Sequence, residues 1–321
     1  MRHGGWGPRE RGSDEYRQKG NDERAGAWTG SHEAPSLSAI GHYGRARVAW
    51  RRRMIKHPEE LVSGLVDGKR ALVVGVANKR SIAWAIARRL DAEGARVALT
   101  FQGERVESDV SKLAAQLTNG PVPVVPMDVQ DEAQMDAAVA SVAESLGGID
   151  ILVHAVAFAR ADDLGGRFIG TSSEGFHLAL DISAFSLAAL AQRVEPHMQA
   201  AGGGSIVTLS YMAAERAVPG YNVMGVAKST LESIVRYLAW DMGEHAVRVN
   251  ALSAGPVRTL AARGIPGFGD MAEMAAKKSP LRREIDADEV ADAALFLCSS
   301  LARAVTGETL HVDAGYHAMG L

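Results

Sequence analysis

Two tyrosines and a lysine within one short stretch have side chains that could donate a proton and hold a cation beside it. Tyr221 and Lys228 are seven residues apart, and Tyr211 lies ten residues before Tyr221. On a helix, seven residues at about 100° each turn through roughly 700°, so Tyr221 and Lys228 would share a face, about 10 Å apart along the axis. A phenol is a poor acid at neutral pH, and a nearby ammonium would lower its pKa while also binding a ribose. The pair alone fits a solvated helix face equally well.

The chain around this stretch alternates short apolar runs with longer segments of helical period. The apolar runs predict seven strands, at 69–74, 95–100, 122–127, 150–154, 205–210, 247–253 and 308–312. The periodic segments predict helices near 81–93, 104–117, 132–146, 174–200, 222–242 and 288–300. Continuous apolar strands that alternate with helices predict a Rossmann-like, doubly wound α/β fold, a seven-stranded parallel sheet with helices on both faces. Ligands of such sheets bind outside the carboxyl ends of the strands, where Gly75, Gln102, Asp128, His154, Tyr211 and Ser253 fall.

The amino-terminal part of the chain differs in composition from the rest. Residues 1–53 are rich in Gly and Arg and carry a charge of about +5, against a net charge of −3 for all 321 residues. We predict a disordered extension over 1–53 and a single catalytic domain over 54–321. A targeting presequence and an over-long translation that should begin at Met54 remain open. Nucleic-acid binding by the Arg45 to Arg53 cluster is less favoured, because a charge run usually stays solvated.

Several chemistries have no support in the sequence. Cys298 is the one cysteine, so an internal disulfide is excluded, and no Cys or His cluster has metal-ligand spacing. Cys298, His154 and His311 are interpreted as structural residues of apolar segments. No apolar stretch approaching the length of a membrane span and no signal-peptide core are recognised, so we expect a soluble, cytoplasmic protein without a membrane or nucleic-acid partner.

The first predicted strand leads into GVANKRSIAWAIA, where a dinucleotide-binding protein has a glycine turn. Only Gly75 is present, because Lys79 and Ser81 stand at the second and third glycine positions of the short-chain dehydrogenase spacing G-x-x-x-G-x-G. Ser81 could offer its hydroxyl and amide to a phosphate, or it could simply cap the helix; both roles can coexist.

Four blocks carry a resemblance to a known family: GVANKRSIAWAIA, LSYMAAERAVPGYNVMGVAK, VRVNALSAGPVRTLAARGI and GETLHVDAGY. Over about residues 65–318 the chain resembles the enoyl-acyl-carrier-protein reductases of bacterial type II fatty acid synthesis, a divergent branch of the short-chain dehydrogenase/reductase superfamily. Ordinary members place a catalytic Ser before the Tyr, whereas these reductases are similar to this chain in having a Tyr ten residues upstream, here Tyr211. The resemblance implies reduction of the trans-2 carbon-carbon double bond of an enoyl-acyl-carrier-protein thioester by NADH. Many relatives have Ser at the position of Ala155, and some have Gly at that of Ala157.

The resemblance also implies roles for individual residues. Tyr211, Tyr221 and Lys228 would be catalytic, and Ala159 would bind substrate together with the two tyrosines. The cofactor would be held by Lys228 and by Gly75, Ser81, Ile82, Gln102, Asp128, Val129, Val156, Val257, Arg258, Thr259, Leu260 and Ala261. No metal is implied. Asp128 could instead cap the helix that follows residue 131.

Gln102 favours NADH over NADPH. It ends the second predicted strand, where an NAD site often has an acidic residue for the ribose hydroxyl and an NADP site a cation for the phosphate. Residues 101–103 have neither charge, and a neutral Gln can bind a hydroxyl but gives a phosphate no charge. Arg105, one turn later, leaves NADPH open.

The remaining expectations concern partners and alternatives. The insert at 258–285 would cover the acyl chain, with Met271 and Met274 as packing or as an adaptable apolar surface. Its basic residues would attract an acidic acyl carrier protein or simply be solvated: Lys277, Lys278, Arg282 and Arg283. The resemblance implies a homotetramer formed through the helices at 174–200 and 222–242. Two other functions compete: a carbonyl-reducing dehydrogenase that uses Thr208 or Ser210, and a non-catalytic dinucleotide sensor.

Overall fold

The computed structural model describes residues 64–264 and 267–320. The described residues belong to one compact unit. The predicted extension at 1–53 and the predicted domain start at residue 54 lie outside the described residues.

In the part of the chain that the structure describes, seven strands form one parallel sheet in the order β3-β2-β1-β4-β5-β6-β7. Every predicted strand is confirmed, and six are within one residue of the predicted bounds at their start. The strands are β1 Arg70–Val74, β2 Arg96–Phe101, β3 Val124–Pro126, β4 Ile151–His154, β5 Gly204–Ser210, β6 Val247–Ala254 and β7 Thr309–Val312. Since all neighbours pair in parallel, each connection must cross from one end of the sheet to the other, and helices make these crossings.

The helices include the six predicted ones and two that the periodicity missed. They are α1 Ile82–Ala92, α2 Glu104–Ala114, α3 Glu132–Leu146, α4 Ala161–Leu164, α5 Ser173–Leu180, α6 Ser186–Ala200, α7 Asn222–Asp241, α8 Phe268–Lys278 and α9 Ala287–Cys298. The missed helices are α4 and α8. The predicted helix at 174–200 is α5 and α6 joined by a π-helical segment, Asp181–Phe185. In that segment the Ser183 hydroxyl donates to the Phe158 carbonyl oxygen at 3.1 Å, which ties the helix to the loop after β4.

The sheet is covered on both faces, as the continuous apolar strands predicted. Alternate residues of β1 point to opposite sides, so Ala71 and Val73 pack among α1, α2 and α9, whereas Leu72 and Val74 pack among α3, α6 and α7. Each face therefore buries its own core. Cys298 lies in the first of these cores, where burial raises the pKa of its thiol to about 12, in agreement with a structural role.

Among residues 64–264 and 267–320, one helical run qualifies by length and composition as a membrane span, contrary to the expectation that no stretch approaches that length. The run is Ser173–Ala200, with a mean hydropathy of 1.2 over its most apolar window, and 56% of that window is buried inside the protein. Its buried side chains include Leu187, Leu190 and Met198, which belong to the second core. A core helix has these same properties, so the run is weak evidence for a membrane.

An ion pair joins the starts of β1 and β4. Asp150 accepts hydrogen bonds from the Arg70 backbone N–H at 2.9 Å, from Nε at 2.6 Å and from an NH2 nitrogen at 3.0 Å. Burial alone would raise the pKa of Asp150, but the hydrogen bonds from Arg70 outweigh it and lower the pKa. The stabilisation is therefore complete above the ordinary carboxyl pKa and is lost as the pH falls towards the lowered value.

Replacing this carboxylate should destabilise the fold. We expect Asp150→Ala to lower the free energy of unfolding by about 3 kcal/mol, because it leaves the Arg70 guanidinium without its partner at a largely buried site. Urea denaturation would measure the loss. Asp109→Ala, which breaks the exposed pair with Lys112 on α2, is the matched control and should cost less than about 1 kcal/mol. Equal losses in the two variants would contradict the role given to Asp150.

Candidate active site

A cavity of about 760 Å³ opens at the carboxyl ends of the strands. The strand order reverses at β1: β2 lies on one side of it and β4 on the other, so the connections that follow β1 and β4 run to opposite faces. Brought together in the lining are Gly75 after β1, Gln102 after β2, Ala155 after β4, Tyr211 after β5 and Gly255 after β6. This is the place where doubly wound sheets bind their ligands.

Most of the predicted site residues line this one cavity. They are Gly75, Ser81, Ile82, Gln102, Val129, Val156, Ala159, Tyr211, Tyr221, Lys228, Val257, Thr259, Leu260 and Ala261. Two predicted residues are not in the lining. Asp128 lies between two residues that are, Met127 and Val129, whereas Arg258 is directed to Glu284, with contacts of 2.7 and 2.5 Å. Roles for Asp128 and Arg258 stay predictions.

The turn after β1 is shaped to bring a ligand close to the backbone. Gly75 has φ +99°, and a Cβ built there would lie 2.3 Å from the Ala155 carbonyl oxygen. The turn then passes Asn78 and enters α1, whose N-cap is Ser81: its hydroxyl accepts from the Trp84 N–H and donates to the Asn78 carbonyl. The capping interpretation of Ser81 is thus confirmed. Because Ser81 also lines the cavity, the positive end of α1 faces the space where a pyrophosphate would bind.

The end of β2 offers the cavity a neutral side chain. Gln102 lies in the lining beside Phe101, and Arg105, exposed in the first turn of α2, does not belong to it. Asp128 is not the N-cap of α3, because Asp131 holds that position and accepts from the Gln134 N–H at 3.1 Å. That alternative for Asp128 is wrong.

The two phenols and the ammonium meet at the start of α7. Tyr221 is the N-cap residue of this helix, and the ring centroids of Tyr211 and Tyr221 are 4.9 Å apart. Lys228 is 5% exposed, and its Nζ donates to the Leu209 carbonyl oxygen at 2.7 Å. Asn222, the residue after Tyr221, has φ +38°, a conformation that Asn tolerates. Its side-chain amide donates to the Gly165 carbonyl oxygen. The sharp entry into α7 points the phenol of Tyr221 at the cavity.

The pKa values of these groups follow from burial. Burial raises the pKa of Tyr221, and the neighbouring Tyr211 raises it further. The pKa of Tyr211 is raised to about 12, chiefly by burial, and burial lowers the pKa of Lys228 to about 8. The expectation that Lys228 lowers the pKa of Tyr221 is therefore wrong for this arrangement, since the ammonium donates to Leu209 instead. Tyr221 is a neutral hydrogen-bond donor.

The two hydroxyls that a carbonyl-reducing enzyme could have used are committed elsewhere. Thr208 is fully buried and bonds the ring of His154 at 2.8 Å, and the Ser210 hydroxyl donates to Glu232. His154 also contacts the Ser186 hydroxyl at 2.8 Å, and burial lowers its pKa to about 3. His154 is thus a neutral, hydrogen-bonded core residue, as interpreted from the sequence.

An apolar wall covers the side of the cavity next to the phenols. Leu164, Met224 and Ala227 form a small buried cluster against which Ala159 and Tyr221 pack. From the other side α8 contributes Met271, whose sulfur accepts from the Tyr211 hydroxyl at 3.0 Å, whereas Met274 is exposed. The sequence placed an insert here but missed the helix, because glycines at its start interrupt the apolar period. These residues carry no motif beyond apolar type, so only the fold brings them together.

The strand residue His311 has surroundings that the sequence did not indicate. Its ring stacks on that of His317 with centroids 3.9 Å apart, and its Nε2 lies 3.2 Å from a carboxylate oxygen of Glu215. It is outside the cavity lining. A second groove of about 700 Å³ lies between α3 and α6 and contains none of the predicted residues.

Comparison with known proteins decides the family. The family model described as Enoyl-(Acyl carrier protein) reductase matches residues 75–317. The chain belongs to the enoyl-acyl-carrier-protein reductase family. It is 48% identical over 256 residues to the Bacillus cereus enoyl-[acyl-carrier-protein] reductase [NADH] FabI, covering 80% of this chain and 99% of the relative.

One further relative and one solved structure show the range of cofactors in the enoyl-acyl-carrier-protein reductase family. The Staphylococcus aureus enoyl-[acyl-carrier-protein] reductase [NADPH] FabI is 43% identical, over 79% of this chain and 98% of the relative. A crystal structure of the Bacillus cereus reductase with NADP+ and indole naphthyridinone superimposes with a TM-score of 0.78 at 49% identity, covering 80% of this chain and 99% of that one. The Rossmann-like fold is therefore shown by known structures as well as by the sheet order.

The Gly75 turn yields a direct test of cofactor binding. We expect Gly75→Ala to raise the Kd for NADH at least about tenfold, because the new Cβ would collide with the Ala155 carbonyl and force the turn away from the cofactor. Titration of NADH fluorescence would measure the Kd. Gly202→Ala is the control, since Gly202 also has a positive φ, +77°, but open space around it. It should lose some stability and keep the wild-type Kd. An unchanged Kd in Gly75→Ala would contradict the assignment of this turn.

Proposed function

We propose that this protein reduces the trans-2 carbon-carbon double bond of enoyl-acyl-carrier-protein thioesters with NADH, in the elongation cycle of type II fatty acid biosynthesis. The observation that carries the proposal is the pair of phenols, Tyr211 and Tyr221, 4.9 Å apart in the same cavity as the Gly75 turn. A carbonyl-reducing dehydrogenase would use a hydroxyl near Thr208 or Ser210, and here Thr208 is bonded to His154 and Ser210 to Glu232. Family membership supports the same activity.

The residues present fit a dinucleotide. The close approach at Gly75 leaves room only for a hydrogen atom, and the amino end of α1 offers N–H groups to a pyrophosphate. Lys228 is buried and lines the same cavity, where its ammonium would donate to a ribose. The bound nicotinamide supplies the hydride that adds to the β-carbon of the enoyl thioester. Gly75, Ser81 and Lys228 would bind and orient it, with Val156 on the nicotinamide side.

Tyr221 would stabilise the charge that develops during reduction. Addition of hydride at the β-carbon moves negative charge onto the thioester oxygen as an enolate, and the neutral Tyr221 hydroxyl would donate to that oxygen. A donor of this kind in a water-poor site contributes about 3 kcal/mol to the transition state. Lys228 would hold the ribose and the local positive charge, and Tyr211 with Ala159 and Met271 would contact the acyl chain.

NADH is the proposed cofactor because of Gln102. The family includes relatives named for NADH and for NADPH, so the chain's own residues must decide. At the end of β2 the cavity presents an uncharged amide, which can bond a ribose hydroxyl but cannot neutralise a phosphate. Arg105 lies outside the lining, so NADPH is the weaker alternative.

The catalytic domain is proposed to extend over residues 54–321, with the insert at 258–285 covering the substrate. Its basic residues would bind an acidic acyl carrier protein. Two of them already form ion pairs, Lys277 with Glu273 and Arg283 with Glu289, so Lys278 and Arg282 are the better candidates for this contact. A cytoplasmic location is proposed from the relatives' metabolic role.

A homotetramer is proposed from the exposed apolar side chains on the two long helices. Phe185 is 57% exposed just before α6, and Tyr237 and Trp240 on α7 are 71% and 84% exposed. Large exposed apolar groups are typical of an interface. Light scattering should give the mass of four chains for the wild type and a smaller assembly for Trp240→Glu. Leu301→Glu, which changes an exposed apolar residue just after α9, should leave the mass unchanged. A monomeric wild type would contradict the proposal.

The activity itself is tested by offering two substrates side by side. We expect oxidation of NADH, followed at 340 nm, with a crotonyl thioester and none with an acetoacetyl thioester, and slower turnover with NADPH. Tyr221→Phe should lower kcat by roughly a hundredfold through loss of the hydroxyl donor, with the Kd for NADH unchanged. Turnover of the ketone alone would overturn the assignment in favour of Thr208 or Ser210. NADH binding without turnover of either thioester would favour a dinucleotide sensor.

A further inference from the structure

A second buried charge lies behind the lysine of the site. Glu232, on α7, is 7% exposed, and none of the functions proposed above uses it. It does not line the cavity, so it contacts neither cofactor nor substrate there. A carboxylate is rarely this buried without a partner, because leaving water is costly for a charge. Glu232 therefore requires a physical explanation.

The partners of Glu232 connect it to Lys228. It follows Lys228 by four residues, which places the two side chains on one helix face about one turn apart. Lys228 donates to the carbonyl oxygen of Leu209, and the next residue, Ser210, donates its hydroxyl to Glu232. Both charged groups are thus fixed to adjacent residues at the end of β5. The residue that follows is Tyr211.

The carboxylate favours the charged form of the buried ammonium. Burial disfavours the charged form of Lys228 and lowers its pKa to about 8, and the charge of Glu232 acts in the opposite direction. Without the carboxylate, a large part of the molecules would carry a neutral amine at working pH, with one donor fewer for the ribose and no positive charge near Tyr221.

We propose that Glu232 is a positioning residue of the reductase: its carboxylate, held by Ser210, keeps the Lys228 ammonium protonated for binding of the ribose. This inference rests on the proposed function for its catalytic consequence, although its effect on NADH binding does not depend on turnover. Glu232 acts through Lys228 and does not touch the reacting atoms.

Other ionisable groups surround the pair, and they define what a variant must leave intact. Tyr221 and Arg236 belong to α7 itself, His154 reaches Lys228 from β4, and Tyr211 follows β5. Glu215 and His311 face Glu232 from the loop after β5 and from β7. The pKa of Glu232 is raised, chiefly by burial and further by the charge of Glu215. The bond from Ser210 opposes this shift, as do His311 and Arg236. The hydroxyl of Ser210 and the positive charge of Arg236 favour the ionised form of the carboxylate.

The test compares pH profiles of a neutral variant with a matched control. The decline of kcat/KM for NADH at alkaline pH reports the pKa values of ionisable groups in the free enzyme. For the wild type we expect the midpoint of this alkaline limb near pH 8. Activity is lost above it because Lys228 loses its proton. In Glu232→Gln the limb should move to lower pH by about one unit. Glu215→Gln removes a half-exposed carboxylate from the same cluster and leaves Glu232 charged, so its limb should stay at the wild-type position. The pH dependence of the Kd for NADH should move in the same way.

Two more variants keep the result decisive. Glu232→Met removes the charge without a polar group that needs a partner, and it should reproduce the shift if Glu232→Gln folds poorly. Glu232→Asp keeps the charge, so its alkaline limb should have the wild-type midpoint. If that midpoint moved as far as in the neutral variants, altered packing would explain the effect and the proposal would fall. An unchanged limb in the folded neutral variants would also overturn it. If the protein bound NADH but reduced no enoyl thioester, the proposed function would fail, and the Kd profiles would still decide the role of Glu232.

Discussion

The parallel pairing of β1 with β4 is the constraint on which the site depends. Val74 pairs with His154 at the ends of these strands, so the residues that follow, Gly75 and Ala155, leave the sheet side by side. Their backbones approach so closely that no Cβ fits between them. One connection then turns to α1 and the other towards the loop before α4, and the gap that they leave becomes the cavity. The charged pair of Arg70 and Asp150 fixes the other end of the same two strands, so the register is held at both ends.

Polar groups buried at the carboxyl ends of β4 and β5 then set the properties of the site. Thr208, His154 and Ser186 bond one another in a fully buried chain, and two residues after Thr208, Ser210 bonds Glu232. Such groups are costly when unpaired and rigid when paired, so each narrows the positions open to its neighbours. Tyr211 follows directly on this framework. Its phenol is therefore held by the strand end and is not merely carried on a flexible loop.

The sequence predicted the sheet well because each strand is a continuous apolar run bounded by polar or glycine residues, and Val, Ile and Leu in such runs have few alternatives. It predicted most cavity residues because a parallel sheet collects its strand ends at one edge. It failed where three-dimensional placement decides. Spacing put Tyr221 and Lys228 on one face but could not tell that the ammonium donates to Leu209, which is why the predicted lowering of the Tyr221 pKa was wrong. Glu232 has no motif, and its importance follows only from its burial beside Ser210.

The contact between α8 and Tyr211 is a weak one among the polar contacts of the site. A thioether sulfur is a weak acceptor, so separating Met271 from the Tyr211 hydroxyl costs far less than breaking a bond to an oxygen would. Met side chains also adapt their shape readily. Movement of α8 would thus exchange one weak contact for acyl-chain packing, while Lys228, Ser210 and Glu232 keep their strand-bound positions. If substrate enters beside Tyr211 as proposed, the contact that is lost lies on a helix that the sequence pattern missed, and the groups bonded to the end of β5 keep their places.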